Sequence, residues 1–239
     1  MNPRDRLIVA LDVSSASEAQ RLVSTVGESV KTFKIGKQLF TAEGPPLVRK
    51  LIASGRNVFL DLKFHDIPNT VGGAVRAAAG LGIRMLTVHA AGGAAMLRAA
   101  TDAAAAAPQP PLVLAVTVLT SLSDEDLRQT GISGRVVDQV LRLAALARDH
   151  GCGGVVASAQ EAPELRRELG AGFAIVTPGV RPAGGDKADQ ARIVTPAEAI
   201  AAGATYLVVG RPITASPDPA AAARRMLDEI AAACLQASM

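Results

Sequence analysis

Short hydrophobic segments rich in Val, Ile and Leu recur along the whole chain, and more polar stretches separate them. Eight of these segments have the length and composition of buried β-strands. They are residues 6–13, 31–36, 57–63, 83–90, 112–119, 153–158, 173–179 and 205–211. Near-continuous apolar runs of this kind are typical of parallel strands that are covered on both faces.

The stretches between the predicted strands carry helix signals. Residues 15–26 begin with serines and then place apolar residues at helical spacing. Ser123 and Asp126 have the spacing of a capping box. Further helices are predicted at 70–79, at 92–107 with its end set by Pro108, at 196–202 and at 219–235.

Strands that alternate with helices predict right-handed βαβ units and parallel pairing. Eight such units in 239 residues match the size of a (β/α)8 TIM barrel, which is an α/β fold. A doubly wound open sheet is the alternative, but the first strand is not followed by the GxGxxG of a dinucleotide fold. No linker or shift in composition divides the chain, so residues 1–239 are predicted to form one catalytic barrel domain.

Composition narrows the class of partner. Hydrophobic residues make up 49% of the chain and aromatic residues only 3%, so the predicted core is built from Ala, Val, Leu and Ile. The net charge is +3, and basic tracts with interleaved aromatic residues are missing, which argues against a nucleic-acid partner. A small anionic ligand agrees equally well with this charge.

Cysteine usage and the N-terminal segment predict a cytoplasmic protein. Cys152 and Cys234 lie far apart and match neither a metal-binding spacing nor a disulfide framework. The apolar run that starts at Leu7 is too short for a signal peptide core or a membrane span. We therefore expect no membrane partner.

The third predicted strand ends in a cluster of charges, FLDLKFHDIPNT at residues 59–70. Because side chains alternate along a strand, Asp61 and Lys63 are expected to point into the barrel while Leu60 and Leu62 face the helices. Asp66 follows on the loop. The C-terminal end of the strands is where barrel enzymes carry their chemistry. The alternative is a solvated salt bridge at a strand end.

Polar residues at other strand ends repeat this theme. Asp12, Lys34, His89 and Thr120 each lie at or near the end of a predicted strand. Taken singly, Asp12 could cap the next helix, Thr120 could be a loop hydroxyl, and His89 is best explained as a hydrogen-bonded core histidine. A buried cluster of charges costs several kcal/mol, which stability alone seldom justifies.

Lysine is rare in this chain, since only six of the 25 basic residues are Lys. Where a positive charge is enough the chain usually carries Arg, which cannot give up a proton at accessible pH. A lysine at position 63 therefore suggests a proton donor.

The loops after the seventh and eighth strands have the composition of a phosphate site. Arg181 and Arg211 supply planar donors for phosphate oxygens, and glycines such as Gly210 let backbone N–H groups approach the anion. Barrels often bind phosphate with these two loops. Gly179, Gly184, Gly185 and Gly210 could also serve turns alone. The glycine-rich stretch 180–190 has the character of a closing lid.

Seven segments together resemble the bacterial orotidine 5′-phosphate decarboxylases. They are Leu11-Asp12, FKIG with Lys34, DLKFHDIPNT at 61–70, VLTSL at 118–122, TPGVRP at 177–182, Gln190 and VGRPI at 209–213. Their order and spacing match the family over essentially the whole chain, with no departure at a motif position.

The resemblance implies a homodimeric (β/α)8 barrel that converts orotidine 5′-phosphate to UMP and carbon dioxide, the last step of de novo pyrimidine synthesis, without metal or organic cofactor. It implies the following roles by motif position: Asp12 and Lys34 at the ribose hydroxyls, Asp61 beside the departing carboxylate, Lys63 as proton donor, Asp66 and Thr70 in the neighbouring subunit's site, Thr120 at the pyrimidine, and Gln190, Arg181, Gly210 and Arg211 at the phosphate.

Other functions compete with this one. Magnesium-dependent sugar-phosphate barrels share the D-x-K-x-x-D pattern of Asp61 to Asp66 but lack the IPNT continuation at 67–70. A non-catalytic nucleotide-binding barrel would keep the phosphate site, although it would not need Asp61, Lys63 and Asp66 together. A structural protein gives no reason for charges at so many strand ends.

Overall fold

The computed structural model describes residues 1–182 and 194–236. Within these residues, eight parallel strands form a closed barrel in which each strand pairs with the next and the last pairs with the first. The strands are β1 (Leu7–Ala10), β2 (Thr32–Gly36), β3 (Asn57–Phe64), β4 (Met85–His89), β5 (Leu112–Val116), β6 (Gly154–Val156), β7 (Ala174–Thr177) and β8 (Tyr206–Val209). The predicted (β/α)8 fold is confirmed.

Helices connect the strands and cover the barrel. They are α1 (Pro3–Arg6), α2 (Ala16–Val26), α3 (Lys37–Ala53), α4 (Pro68–Ala79), α5 (Gly93–Ala105), α6 (Asp124–Gln129), α7 (Val136–Asp149), α8 (Ala162–Leu169), α9 (Pro196–Ala201), α10 (Arg211–Thr214) and α11 (Pro219–Gln236). Helix α3 bends at Gly44, whose φ of 62° is not helical. No helix in the described part of the chain combines the length and the apolar character needed to cross a bilayer.

The predicted strands were correct in place, and six of the eight were too long at their C-terminal ends, whereas β2 ends at Gly36 as predicted and β3 extends one residue further, to Phe64. Strand β1 stops at Ala10 and β5 at Val116, because the residues that follow turn into the loops of the barrel mouth. The possibility that Asp12 caps the next helix is wrong, since the Ser15 hydroxyl accepts the N–H of Glu18 at the start of α2. The capping box of Ser123 and Asp126 is confirmed.

Two apolar layers stabilise the barrel. The larger layer lies between strands and helices and includes Leu60 of β3. The smaller layer fills the barrel interior with Ile8, Phe59, Met85, Leu114, Val176 and Val208 among others. Strand β2 differs, because Lys34 lies on its inward face beside Phe59 and brings charge into the upper barrel. The interior is therefore apolar at its middle and charged at its C-terminal mouth.

Strand β3 departs from regular pairing just where its charges lie. Between two paired positions it advances four residues, Leu60 to Phe64, while β4 advances only two, Leu86 to Val88. Lys63, inside this bulge, has a φ of 52°, the only positive φ of a non-glycine residue in the described chain. Bulges often re-aim a side chain next to an active site.

Candidate active site

A cavity of about 450 Å³ opens at the C-terminal mouth of the barrel. Its walls come from every strand except β4, and from the loops after β1, β5, β7 and β8. Eight of the predicted site residues line it, namely Asp12, Lys34, Asp61, Lys63, Thr120, Arg181, Gly210 and Arg211. The fold thus brings residues from positions 12 to 211 into one space.

Four side chains of alternating charge lie in contact along the cavity wall beside β1, β2 and β3. The Lys63 Nζ lies 2.7 Å from Asp61 Oδ1 and 2.8 Å from Oδ2. The other side of the Asp61 carboxylate faces Lys34, whose Nζ is 3.7 Å from Oδ2. Lys34 Nζ in turn donates to Asp12 Oδ1 at 2.9 Å. The two ammonium groups therefore share one central carboxylate.

Asp61 is ionised in this environment. Burial alone would raise its pKa, but the charges of Lys63 and Lys34, with hydrogen bonds from Lys63 and Thr87, outweigh burial and lower the pKa below the ordinary 3.8. The Asp61 side chain is only 12% exposed, so these interactions are poorly screened by solvent. A fixed negative charge thus lies beside the Lys63 ammonium.

The position of Lys34 depends on a residue without a side chain. A Cβ at Gly36 would lie 3.1 Å from Lys34 Nζ and 3.4 Å from Asp12 Oδ1. The first of these distances is shorter than in most contacts of a Cβ atom, so a methyl group would displace the ammonium by a few tenths of an ångström. This contact gives the glycine of the FKIG segment a direct physical role.

The ends of β7 and β8 add cationic residues to the cavity wall. Arg181 is 8% exposed, and its backbone N–H donates to Val194 O at 3.0 Å. Arg211 is exposed and begins helix α10, with Gly210 as the N-cap residue. This side of the cavity is suited to an anion.

His89 lies at the mouth of the barrel rather than in the core. It is half-buried, and its ring centroid is 5.3 Å from that of His65. Burial, followed by the positive charges of His65, Lys63 and Lys37, lowers the pKa of His89 from 6.5 to about 4. The prediction that His89 is a core histidine is thus wrong about where this residue lies.

The arrangement of donors offers little to a metal ion. In residues 1–182 and 194–236, no three His, Cys, Asp or Glu side chains come together as possible metal ligands. The absence of a cofactor stays a prediction.

Comparison with known proteins identifies the family. The family model "Orotidine 5'-phosphate decarboxylase / HUMPS family" matches residues 5–226. The chain is 55% identical to the orotidine 5′-phosphate decarboxylase of Moorella thermoacetica over 236 residues, which cover 96% of this chain and 94% of that protein. It belongs to this family.

Other members of the family agree with this assignment. The decarboxylase of Halorhodospira halophila is 55% identical over 228 residues, which cover 95% of this chain and 97% of that protein. The crystal structure of the Lactobacillus acidophilus decarboxylase superposes with a TM-score of 0.85 at 40% identity, covering 94% of this chain and 98% of that one.

Two of the residues predicted from the family resemblance lie outside the cavity. Asp66 and Thr70 are exposed on the segment that follows β3. The Asp66 Oδ1 accepts the N–H of Ile67 at 2.6 Å. Among the described residues, Lys63 is paired with Asp61 and not with Asp66. The roles of Asp66 and Thr70 in a neighbouring subunit's site stay predictions.

One part of the predicted phosphate site cannot be placed. Gln190, Gly184 and Gly185, and the lid expected at 180–190 beyond Pro182, lie outside the described residues. Their roles stay predictions.

Sequence reasoning missed Thr87. This residue of β4 is fully buried, and its hydroxyl donates to Asp61 Oδ1 at 2.9 Å. Alternation along MLTVH places Thr87 on the same face as Met85, which fills the barrel interior. A hydroxyl on the inward face of the strand next to Asp61 is the signal that could have revealed it.

Proposed function

We propose that this chain is an orotidine 5′-phosphate decarboxylase, a carboxy-lyase that forms UMP and carbon dioxide in the last step of de novo UMP synthesis. The observation that carries the proposal is the Lys63–Asp61 ion pair in a cavity that Arg181 and Arg211 also line. Family membership over residues 5–226 supports it. Asp61 and Lys63 are the proposed catalytic residues of this chain, with Asp66 contributed by a second copy.

The reaction needs electrostatic stabilisation. When the bond from ring carbon C6 to the carboxylate breaks, its electron pair stays on C6 in the plane of the ring, where no π system delocalises it. An ammonium group that is already in place stabilises this charge without reorganising. Lys63 is proposed to do so, and then to transfer a proton from Nζ to C6, which gives UMP. The neutral amine regains its proton from solvent.

Asp61 is proposed to serve this step in two ways. Its carboxylate holds the Lys63 ammonium at 2.7 Å, which fixes the cation near the reacting carbon. Its negative charge is also proposed to lie beside the substrate carboxylate, so that departure of carbon dioxide relieves a repulsion. The lowered pKa of Asp61 keeps that charge in place at neutral pH.

The remaining groups are proposed to bind the rest of the nucleotide. Asp12 and Lys34, joined at 2.9 Å, are suited to the ribose hydroxyls. Thr120 lies on the cavity wall near the expected pyrimidine. Arg181, Arg211 and the backbone at Gly210 are proposed to hold the phosphate, with Gln190 as a further ligand. The binding energy of the phosphate group can then contribute to lowering the activation barrier at the distant pyrimidine ring.

The proposal includes a homodimer with shared active sites. Asp66 and Thr70 are exposed in the single chain, and Ile67 between them is a large apolar residue that is 66% exposed. A second copy covering this segment would bury Ile67 and bring its own Asp66 towards Lys63.

We further propose one catalytic domain over residues 1–239, a cytoplasmic location, no cofactor, and no nucleic-acid or membrane partner.

The second candidate is a magnesium-dependent sugar-phosphate barrel, because the matching family model is named for a second group, HUMPS, besides the decarboxylases. The sugar-phosphate enzymes considered above depend on magnesium, so a chelator separates the two functions. The IPNT segment at 67–70 favours the decarboxylase.

The test is a spectrophotometric assay of orotidine 5′-phosphate with purified protein in excess EDTA. We expect the absorbance change of decarboxylation and release of equimolar UMP and carbon dioxide. Absence of UMP, or activity that requires added magnesium, would contradict the proposal.

A further inference from the structure

Thr87 occupies a position in the site that the assigned roles do not cover. Its side chain is fully buried behind Asp61 and does not line the cavity. It lies on β4, opposite the bulge of β3 in which Asp61 and Lys63 are found. A buried hydroxyl must find partners, because an unpaired one costs free energy.

The hydroxyl of Thr87 has two partners, and their chemistry sets the direction of both hydrogen bonds. The backbone N–H of Lys63 donates to Thr87 Oγ1 at 2.9 Å. The second partner, Asp61 Oδ1 at 2.9 Å, belongs to an ionised carboxylate and can only accept. Thr87 therefore donates its single proton to Asp61 and accepts from Lys63.

These contacts close a ring. Lys63 is joined to Asp61 directly through its ammonium group at 2.7 Å, and a second time through its own backbone N–H and the Thr87 hydroxyl. The ring therefore fixes both the backbone N–H and the side-chain ammonium group of Lys63. It also orients Asp61, because the Lys63 ammonium donates to both carboxylate oxygens while only Oδ1 accepts from Thr87. Oδ2 is left on the side of Lys34, 3.7 Å from its Nζ.

The ring explains how the unusual backbone of Lys63 persists. A φ of 52° is unfavourable for a residue with a side chain, and such conformations last only when the surroundings hold them. The bulge takes Lys63 out of the regular ladder with β4, so its N–H needs another acceptor. Thr87 provides that acceptor.

We propose that Thr87 is a positioning residue for the decarboxylation, acting through Asp61 and Lys63 and not through the substrate. This inference rests on the proposed function of the site. Loss of the hydroxyl frees the carboxylate to rotate and lets the Lys63 backbone relax towards an extended conformation, which moves the ammonium away from the reacting carbon. Binding of UMP, which has no carboxylate, does not depend on this alignment.

The variants T87V and T87S separate the hydroxyl from the packing. We expect T87V to lower kcat about 10- to 100-fold, the range for losing a hydrogen bond to a charged group. We expect its Kd for UMP to stay within about twofold of wild type, because the affected groups are those that act on the carboxylate. T87S keeps the hydroxyl, so its kcat should remain within about threefold.

Thr117 offers a matched control on the neighbouring strand end. It is also buried, and its hydroxyl donates to Val156 O at 3.1 Å without touching the charged cluster. T117V should keep kcat within about twofold, whatever stability it loses with the hydrogen bond to Val156. If T87V does not fold, T87A removes the hydroxyl without placing a methyl group beside the carboxylate.

Three outcomes would overturn the proposal: a kcat of T87V within about twofold of wild type, a loss in T87S as large as in T87V, or a loss of UMP affinity in proportion to kcat. Wild-type protein that does not decarboxylate the substrate would instead contradict the proposed function. In that case a crystal structure of T87V decides: an unchanged positive φ at Lys63 with an intact Asp61 contact would refute positioning by Thr87.

Discussion

At the scale of single residues, the site brings common charged side chains together in an arrangement with a high desolvation cost. Lys34, Asp61 and Lys63 have side chains that are 11%, 12% and 25% exposed, and they form one connected set. Removing one member of a buried charge pair costs more than the pair contributes, because the partner is left uncompensated. Substitutions here consequently affect chemistry and stability together, and the predictions at this scale need controls for both.

Lys63→Ala should abolish turnover, with a loss of about 10³-fold or more in kcat, since both the preorganised cation and the proton donor are removed. Affinity for UMP should be largely retained, as measured by calorimetry. Lys31→Ala is the control, because Lys31 forms an exposed ion pair with Asp5 at 3.3 Å, and Asp5 precedes β1 at the other end of the barrel. Near-wild-type turnover of Lys63→Ala would refute the assignment.

Gly36→Ala should weaken substrate binding without removing any charged group. The added methyl group would lie 3.1 Å from Lys34 Nζ and displace it from Asp12. We expect KM to rise by about tenfold, as for the loss of one charge-assisted hydrogen bond. Gly73→Ala in α4 is the control, because a Cβ there has no neighbour within 4 Å. Equal KM values for the two variants would contradict this role of Gly36.

At the scale of secondary-structure elements, the barrel places the charges but a local irregularity aims them. Strict alternation explains Phe59 and Asp61, which share the inward face of β3. It does not explain Lys63, because Lys63 lies within the bulge between Leu60 and Phe64, where the register shifts. Lys63 still reaches the cavity because its left-handed backbone directs the side chain back towards Asp61. The expected shared direction of Asp61 and Lys63 thus has a different cause from the one predicted.

Strand β6 provides a test of barrel packing that leaves the charges untouched. Gly154 pairs with both Leu114 and Ala174, and a Cβ there would collide with the backbone oxygen of Ala174. Gly154→Ala should lower the free energy of unfolding by about 1–3 kcal/mol, the usual cost of overpacking. Chemical denaturation measures it, with Gly172→Ala as the control because a Cβ at Gly172 meets nothing within 4 Å. Equal stabilities would show that β6 tolerates a side chain at this position.

At the scale of the whole molecule, acidification should weaken the fold in two separate pH ranges. The pKa of His89 is lowered from 6.5 to about 4, so the unfolded chain binds more protons between these values, and stability falls as the pH drops through them. Asp61 also has a lowered pKa, and its contribution is lost only as the pH falls below 3.8.

His89→Asn should therefore flatten the pH dependence of the urea midpoint between pH 7 and pH 4, while the loss at lower pH remains. Urea titrations at several pH values measure this difference. The same slope in wild type and His89→Asn would show that His89 does not link protonation to folding.

Shared active sites predict complementation between inactive variants. When Lys63→Ala and Asp66→Asn chains are mixed and exchange freely, half of the dimers are hybrids, and each hybrid has one site with both native residues. We expect recovery of about a quarter of wild-type activity, measured after subunit exchange has been verified by native mass spectrometry. No recovery would place Asp66 outside the partner's site.

The order of strands and helices, the charged end of β3 and the cationic loops after β7 and β8 were all predictable, because hydrophobic period and residue chemistry are local properties of the chain. The contacts of Thr87 with Asp61 and Lys63, the left-handed backbone of Lys63 and the pairing of Lys34 with Asp12 were decided by tertiary structure. Each depends on the register between strands that are distant in sequence, and register is set by packing of the complete barrel. The amino-acid sequence by itself thus determined which chemical groups meet at the barrel mouth, while the closed barrel determined how these groups are oriented.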